Sequence, residues 1–265
     1  MQNAQYEEED FSAYIDYHTG GRPFPPWAEN LFSDLKLTPG RSLDVGCADG
    51  AVVERLGQSG FDAHGLDLDR KSISAAIANR NLKKMYTGTV TDFARSFDKL
   101  VGYFDLISFF EVLEHQADPK QFIQTIKSLA KPGAKIVGSV PNRNRFLVSL
   151  DRLLSDGDHP PHHFLWFSTE ALRNFLELSG IHNVSVYYAQ RPSLTNRHLS
   201  SRKIVNRIIF KNQNIDKGVM RTISTVAAWP IALILSIGDA IKPPHLFFYG
   251  EIPPHDIAPS RRSIE

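Results

Sequence analysis

From residue 41 to about 190, apolar runs of four to seven residues alternate with segments whose apolar positions recur every three or four residues. The runs read as strands buried on both faces, and the spaced segments as helices that cover them. Strands are expected at Ser42 to Val45, Ala63 to Asp67, Lys84 to Gly88, Phe104 to Phe109, Lys135 to Val140 and Asn183 to Ala189. Helices are expected at Ala51 to Gln58, Lys71 to Asn79, Pro119 to Ala130 and Thr169 to Leu178. Gly60, Gly133 and Gly180 each follow a helical segment, where a left-handed C-cap is expected. Strand and helix in strict alternation predict a doubly wound, Rossmann-like α/β fold.

This pattern divides the chain into an N-terminal cap (1–40), a core (41–190), an insertion (191–245) and a last strand with its tail (246–265). In the cap, Pro25 to Leu37 reads as a short helix behind Tyr6, Phe11, Tyr14 and Tyr17, either a lid over a ligand or a helix packed on the sheet. In the insertion, Arg197 to Arg221 holds seven Lys or Arg against the single acid Asp216, and Thr222 to Gly238 follows with no charge in 17 residues. Basic residues beside an apolar helix with Trp229 describe a segment that enters a membrane interface, so peripheral membrane contact is expected through 197–241. A complete span is disfavoured, because Pro230 interrupts the middle and Asp239 closes a window at the short limit. A buried lid helix and an oligomer interface fit the same pattern.

Composition narrows the classes. The 265 residues carry 30 basic and 29 acidic side chains, a balance that argues against a general nucleic-acid binder. The lone cysteine, Cys47, excludes an intrachain disulfide and suits a reducing compartment. Glu7, Glu8, Glu9 and Asp10 stand where an export signal would carry positive charge, so a cytoplasmic location is expected.

The main chemical signal is Leu43-Asp44-Val45-Gly46-Cys47-Ala48-Asp49-Gly50, a strand that ends in a small-residue turn and runs into a helix. Such turns let backbone N–H groups approach a ligand. The next strand ends at Asp67, whose carboxylate can accept both ribose hydroxyls of a nucleoside. Ala48 stands where the dinucleotide fingerprint requires its second glycine, which disfavours a nicotinamide enzyme. Asp67 and Asp92 both also suit a helix N-cap.

These residues, with Thr91-Asp92, the stretch Phe104 to His115 and the run Lys131-Pro132-Gly133-Ala134, resemble the successive motifs of class I S-adenosylmethionine-dependent methyltransferases over residues 41–190. The resemblance implies a seven-stranded, mostly parallel sheet with helices on both faces and an antiparallel last strand, here Leu246 to Tyr249. It implies S-adenosyl-L-methionine as cofactor, with Gly46 and Gly50 lining the methionine moiety, Asp44 supporting the turn, Asp67 holding the ribose and Asp92 near the adenine amine.

Methyl transfer to a hydroxyl also needs a proton acceptor. On a helix, Glu111, Glu114 and His115 share one face at the C-terminal edge of the sheet, and His115 is the favoured base. His159, His162 and His163 cluster in a later loop. The Glu-x-x-Glu-His pattern with a later His-x-x-x-Trp resembles the metal site of small-RNA 2′-O-methyltransferases, which implies Glu111, Glu114, His115 and His162 as ligands for Mg²⁺, Mn²⁺ or Zn²⁺. Glu114-His115 and Asn142-Arg143-Asn144 resemble ubiquinone-pathway O-methyltransferases, whose members imply a small or lipid-linked acceptor. His162 and His163 equally suit substrate contact, while His18, His64, His182, His198, His245 and His255 have no carboxylate partner in sequence and read as surface or packing residues. A nonenzymatic membrane-bound adaptor retaining the fold is the rival from another class. The sequence does not select an oligomeric state.

Overall fold

A computed structural model describes residues 37–146, 163–188 and 217–254, with single positions at 18, 24, 32, 35, 148, 149, 194, 198, 201, 202 and 205. The aromatics Tyr6 to Tyr17, most of the expected helix at Pro25 to Leu37, and both His159 and His162 fall outside the described residues.

Seven strands form one sheet: β1 (Arg41–Val45), β2 (Asp62–Asp67), β3 (Met85–Thr87), β4 (Phe104–Phe110), β5 (Ala130–Pro141), β6 (His182–Tyr188) and β7 (His245–Glu251). The described helices of eight residues or more are α1 (Ala51–Gln58), α2 (Arg70–Arg80), α4 (Pro119–Leu129), α5 (Thr169–Leu178) and α6 (Lys217–Ile241), with the shorter α3 (Val90–Ser96) after β3. The strand order is β3-β2-β1-β4-β5-β7-β6, and β7 runs antiparallel to both of its neighbours. This is the seven-stranded, mostly parallel Rossmann-like sheet expected above, with the last strand reversed. Successive strands leave β1 toward β2 on one side and return as β4 on the other, and ligands of open α/β sheets bind at such a switch point.

The core follows from the apolar runs. Leu43, Ile107, Phe109, Ile123, Ile136 and Phe248 are all fully buried. In α5, Leu172 and Leu176, four residues apart, face inward, and each contributes about 1.5–3 kcal/mol by leaving water. Local chemistry sets the helix starts. Asp69, Asp118 and Ser168 accept N–H bonds at the N-termini of α2, α4 and α5, and Pro119 occupies the first turn of α4.

One helix has no counterpart among those expected, and three local expectations need correction. α3 is too short to show a periodicity, and its start is marked by Thr89 with Asp92 three residues on. Gly133 (φ 80°) does not cap α4. The chain passes from Leu129 straight into β5, and Gly133 lies within that strand, donating to Ile252 O at 2.9 Å. The stretch at Glu111 is not a helix: Glu111 is left-handed (φ 54°), and only a single 3-10 turn, Leu113–His115, follows. Pro230 does not interrupt α6, which is continuous over 25 residues.

α6 faces the protein with small side chains, because Ser224, Ala228, Ala232 and Asp239 are buried and a Cβ on Gly238 would lie 1.9 Å from the Phe146 ring. Most of its large apolar residues point the other way: Ile223, Val226, Leu233, Ile234, Ile237 and Ile241 are each 44–71% exposed, while Trp229 stacks on His198.

Candidate active site

The turn between β1 and α1 is built on alternating left-handed residues: Gly46 (φ 75°), Ala48 (φ 47°) and Gly50 (φ 78°). A Cβ on Gly46 would come within 2.4 Å of Val112 Cγ2, and one on Gly50 within 2.5 Å of Leu82 Cδ1, so both positions need glycine for space as well as for φ. Ala48 accepts the same conformation at about 1–2 kcal/mol. Its N–H donates to Asp67 Oδ2 at 2.7 Å, while Gly46 N–H and Cys47 N–H both donate to Leu66 O. The tips of β1 and β2 are thereby tied together.

Asp67 is not the helix cap. Asp69 takes that part, accepting from Lys71 N–H at 2.9 Å and from the Ser72 hydroxyl at 2.6 Å, and its own N–H donates to Asp67 Oδ1 at 2.8 Å. The Asp67 carboxylate is thus oriented by backbone donors on both oxygens and keeps acceptor capacity beyond them. Burial raises its pKa, opposed by those N–H groups. Asp92 is exposed in the first turn of α3, where it and Thr89 bond reciprocally: Thr89 Oγ1 accepts from Asp92 N–H at 3.0 Å and donates to Asp92 Oδ2 at 2.6 Å. Asp44 is buried beneath the turn and accepts from Ser108 Oγ at 2.6 Å, which links β1 to β4. Arg80 closes the turn from α2, donating to Asp49 O at 2.8 Å and pairing with Asp49 and Glu54. Cys47 is inert as a nucleophile, because burial and the charges of Asp67, Asp44 and Asp49 push its thiol pKa up.

The tip of β4 carries the second half of the site. Glu111 N–H donates to Ser139 O at 2.9 Å, the Ser139 hydroxyl donates to Glu111 Oε1 at 2.6 Å, and His245 Nδ1 lies 3.2 Å from Glu111 Oε2. Glu114 is fully buried, and among the described residues neither of its carboxylate oxygens has a hydrogen-bond partner. Its carbonyl accepts from Phe164 N–H and Leu165 N–H, which clamps the neighbouring loop and sets the His163 ring 4.8 Å from that of His115. Glu114, His115 and His163 offer donor atoms that all lie within 4.8 Å of one another.

The structure brings Glu114 and His115 together with His163 and gives Glu111 the partners Ser139 and His245, while His162, the fourth member of the expected ligand set, lies outside the described residues. The left-handed kink at Glu111 turns that side chain toward β5 and β7. His245 was expected to be a surface or packing residue, as were His18 and His64. His64 does pack, buried against Tyr86, Tyr103 and Phe104, whereas His18 pairs with Asp69 at 2.7 Å and His245 meets Glu111. No spacing rule could reveal the last pair, which is 134 residues apart in sequence and is joined only by the β5–β7 ladder.

A sheet of this order, with a glycine turn at β1, an acid at the tip of β2 and ionisable groups at the tip of β4, defines an S-adenosylmethionine-dependent methyltransferase fold. The chain belongs to the methyltransferase-domain family, whose model matches residues 25–186. It is 32% identical over 152 residues to the ubiquinone biosynthesis O-methyltransferase of Bordetella avium, covering 52% of this chain and 61% of that protein. The enzyme of the same name from Xanthomonas euvesicatoria is 30% identical, with 70% of this chain and 81% of that protein covered. The first four such relatives are matched over only 46–62% of their length. Among solved structures, an S-adenosylmethionine-dependent methyltransferase from Archaeoglobus fulgidus superposes with a TM-score of 0.56 at 17% identity, covering 91% of this chain and 100% of that chain. The Haemonchus contortus phosphoethanolamine N-methyltransferase 2 in complex with S-adenosyl-L-methionine gives a TM-score of 0.58 at 17% identity, covering 91% and 56%.

Burial raises the pKa of Asp44 from 3.8 to about 7, despite the Ser108 hydrogen bond and with a small contribution from the Asp67 charge. Between those values the native state holds a proton that the unfolded chain has released, so this group's contribution falls as pH rises through the window. Asp44→Asn is expected to flatten the decline in Tm from acid to neutral pH, measured by thermal melts across that range; an unchanged slope would show that Asp44 is ionised throughout.

Proposed function

We propose that the protein transfers the methyl group of S-adenosyl-L-methionine to the oxygen of a small or lipid-linked acceptor, such as a quinone precursor or a glycan. The observation that carries this reading is the Asp67 carboxylate, held by backbone donors beside a turn whose glycines keep the cradle open. Asp67 holds the ribose, Gly46 and Gly50 line the methionine moiety, Asp44 supports the turn and Asp92 lies toward the adenine. When bound, the cofactor supplies a methyl carbon made electrophilic by the adjacent sulfonium. The chain aligns the acceptor oxygen behind that carbon and keeps water out. Deprotonation of the hydroxyl falls to the imidazoles at the tip of β4, among which His115 is the one expected from the sequence, with Glu114 and His163 beside it. The names of the relatives support oxygen as the acceptor atom.

A second reading adds a divalent cation, Mg²⁺, Mn²⁺ or Zn²⁺, favoured by the three convergent donors Glu114, His115 and His163. The location belonging to this proposal is cytoplasmic, peripheral on the cytoplasmic face of a membrane. Its support is α6, where Thr222–Ile241 has a mean hydropathy of 1.6 with only 28% of its most apolar stretch buried, preceded by seven basic residues. Large apolar residues outward and small ones inward suit a helix lying in a lipid interface, with the basic run matching anionic headgroups.

Asp67→Ala should weaken S-adenosylmethionine binding roughly 10- to 150-fold in calorimetric titration, the loss of hydrogen bonds to a charged group; wild-type affinity would refute the ribose assignment. Chelation that abolishes turnover, with recovery on adding back one of the three metals, selects the cation-assisted reading, whereas full activity in chelator rejects it. Wild-type protein should co-sediment with phosphatidylglycerol vesicles but not with phosphatidylcholine vesicles, and Leu233→Asp with Ile237→Asp should release it. Wild type staying in the supernatant with both would end the membrane proposal.

A further inference from the structure

We infer that His18 is a positioning residue for the cofactor: its bond to Asp69 latches the N-terminal cap beside Asp67, on the ribose side of the site, and so slows the release of S-adenosyl-L-methionine. This deepens the methyltransferase reading above and rests on it. The residue it adds lies outside the motifs and outside residues 25–186, which the family model matches.

Three hydrogen bonds run in series from the cap to the cofactor turn. His18 Nε2 donates to Asp69 Oδ2 at 2.7 Å, Asp69 N–H donates to Asp67 Oδ1 at 2.8 Å, and Ala48 N–H donates to Asp67 Oδ2 at 2.7 Å. Burial raises the Asp69 pKa, but the Ser72 and His18 bonds with the Lys71 N–H outweigh it and hold the group below the ordinary range. An ionised carboxylate only accepts, which places a proton on His18 Nε2. The contact is also sheltered, with the His18 and Asp69 side chains 26% and 17% exposed.

The bond serves the cap more than it serves Asp69. Two donors from α2, Lys71 N–H at 2.9 Å and the Ser72 hydroxyl at 2.6 Å, already fix that carboxylate. His18 comes from 51 residues away in sequence, and the contact is what sets its place against the tip of β2.

A second fastening lies on the other side of the turn. Phe32 meets Phe110, the last residue of β4, edge to face with ring centroids 6.2 Å apart, and Phe24 lies 6.2 Å from Phe32. Both rings pack on the cluster that holds Val52 and Leu56 of α1 and Leu106 of β4. In the sheet β2 and β4 are the two neighbours of β1, so these cap positions are anchored on both flanks of the strand whose turn cradles the cofactor. A partly exposed polar contact opens at lower cost than packed rings do, so the His18 end is the one that parts when the cofactor enters or leaves.

The test compares wild type, His18→Ala, His18→Gln, Asp69→Ser and the double variant His18→Ala/Asp69→Ser. The off-rate of S-adenosylmethionine is read by surface plasmon resonance and its Kd by calorimetric titration. Serine caps a helix as well as aspartate does and keeps the N–H that orients Asp67, but it has no second oxygen for His18. His18→Ala and Asp69→Ser should each raise the off-rate and Kd together by about 3- to 12-fold, the net worth of one hydrogen bond. The double variant should lose no more than either single one, because all three remove the same contact. His18→Gln, whose side-chain amide donates from a similar position, should recover most of the affinity, which a loss of general stability would not do. A wild-type off-rate in His18→Ala, or a double variant whose loss is the product of the two single losses, overturns the latch and leaves the methyltransferase reading standing. Should His18→Ala fail to fold, an unchanged off-rate in Asp69→Ser overturns it instead. Wild-type protein that binds no S-adenosylmethionine defeats that reading, and the latch with it.

Discussion

The hydrogen bond from Ala48 N–H to the Asp67 carboxylate is the contact on which the cofactor half of the site depends. It joins the β1 turn to the tip of β2. It also orients Asp67 and holds a non-glycine residue in a left-handed conformation. Asp69 rather than Asp67 caps α2. Two aspartates two residues apart thus divide between capping the helix and tying the β1 turn, because a helix N-terminus needs only one cap. Asp44 and Arg80 support the same turn from beneath and from α2.

The acceptor half obeys a different constraint. Two carboxylates close together at a sheet edge are pushed in opposite directions when their surroundings differ this much. Glu111 receives a hydroxyl and an imidazole, which hold its pKa below the ordinary range against burial, whereas burial and the Glu111 charge push that of Glu114 up. The kink at Glu111 is what separates them. A helical backbone there would have put both on one face, as the spacing alone suggests, and would have left His245 without its carboxylate.

The inverted burial of α6 belongs to the same edge. Its buried side is small enough for Gly238 to meet Phe146, and the chain leaving the helix passes through Pro243 and Pro244, whose carbonyls accept from the Asn142 side chain and from Asn142 N–H, before it enters β7 at His245. The exposed apolar stripe is therefore joined by a few residues to the Glu111–His245 pair at the tip of β4.

The seven strands, five of the helices and the cofactor turn were legible in the sequence because each rests on local signals: apolar period or an uncharged apolar run, cap residues, and small residues at a strand end. Asp67 was legible for the same reason, as an acid at a predicted strand tip. Gly133, α3 and the backbone at Glu111 were not, since a bend inside a strand, a seven-residue helix and a left-handed kink leave no periodic trace. Which histidine meets which carboxylate was decided only by tertiary structure. His245 reaches Glu111 across β5, and His163 reaches His115 through a loop clamped on the Glu114 carbonyl, so both pairings depend on strand order and register, which bring together positions that no spacing along the chain relates.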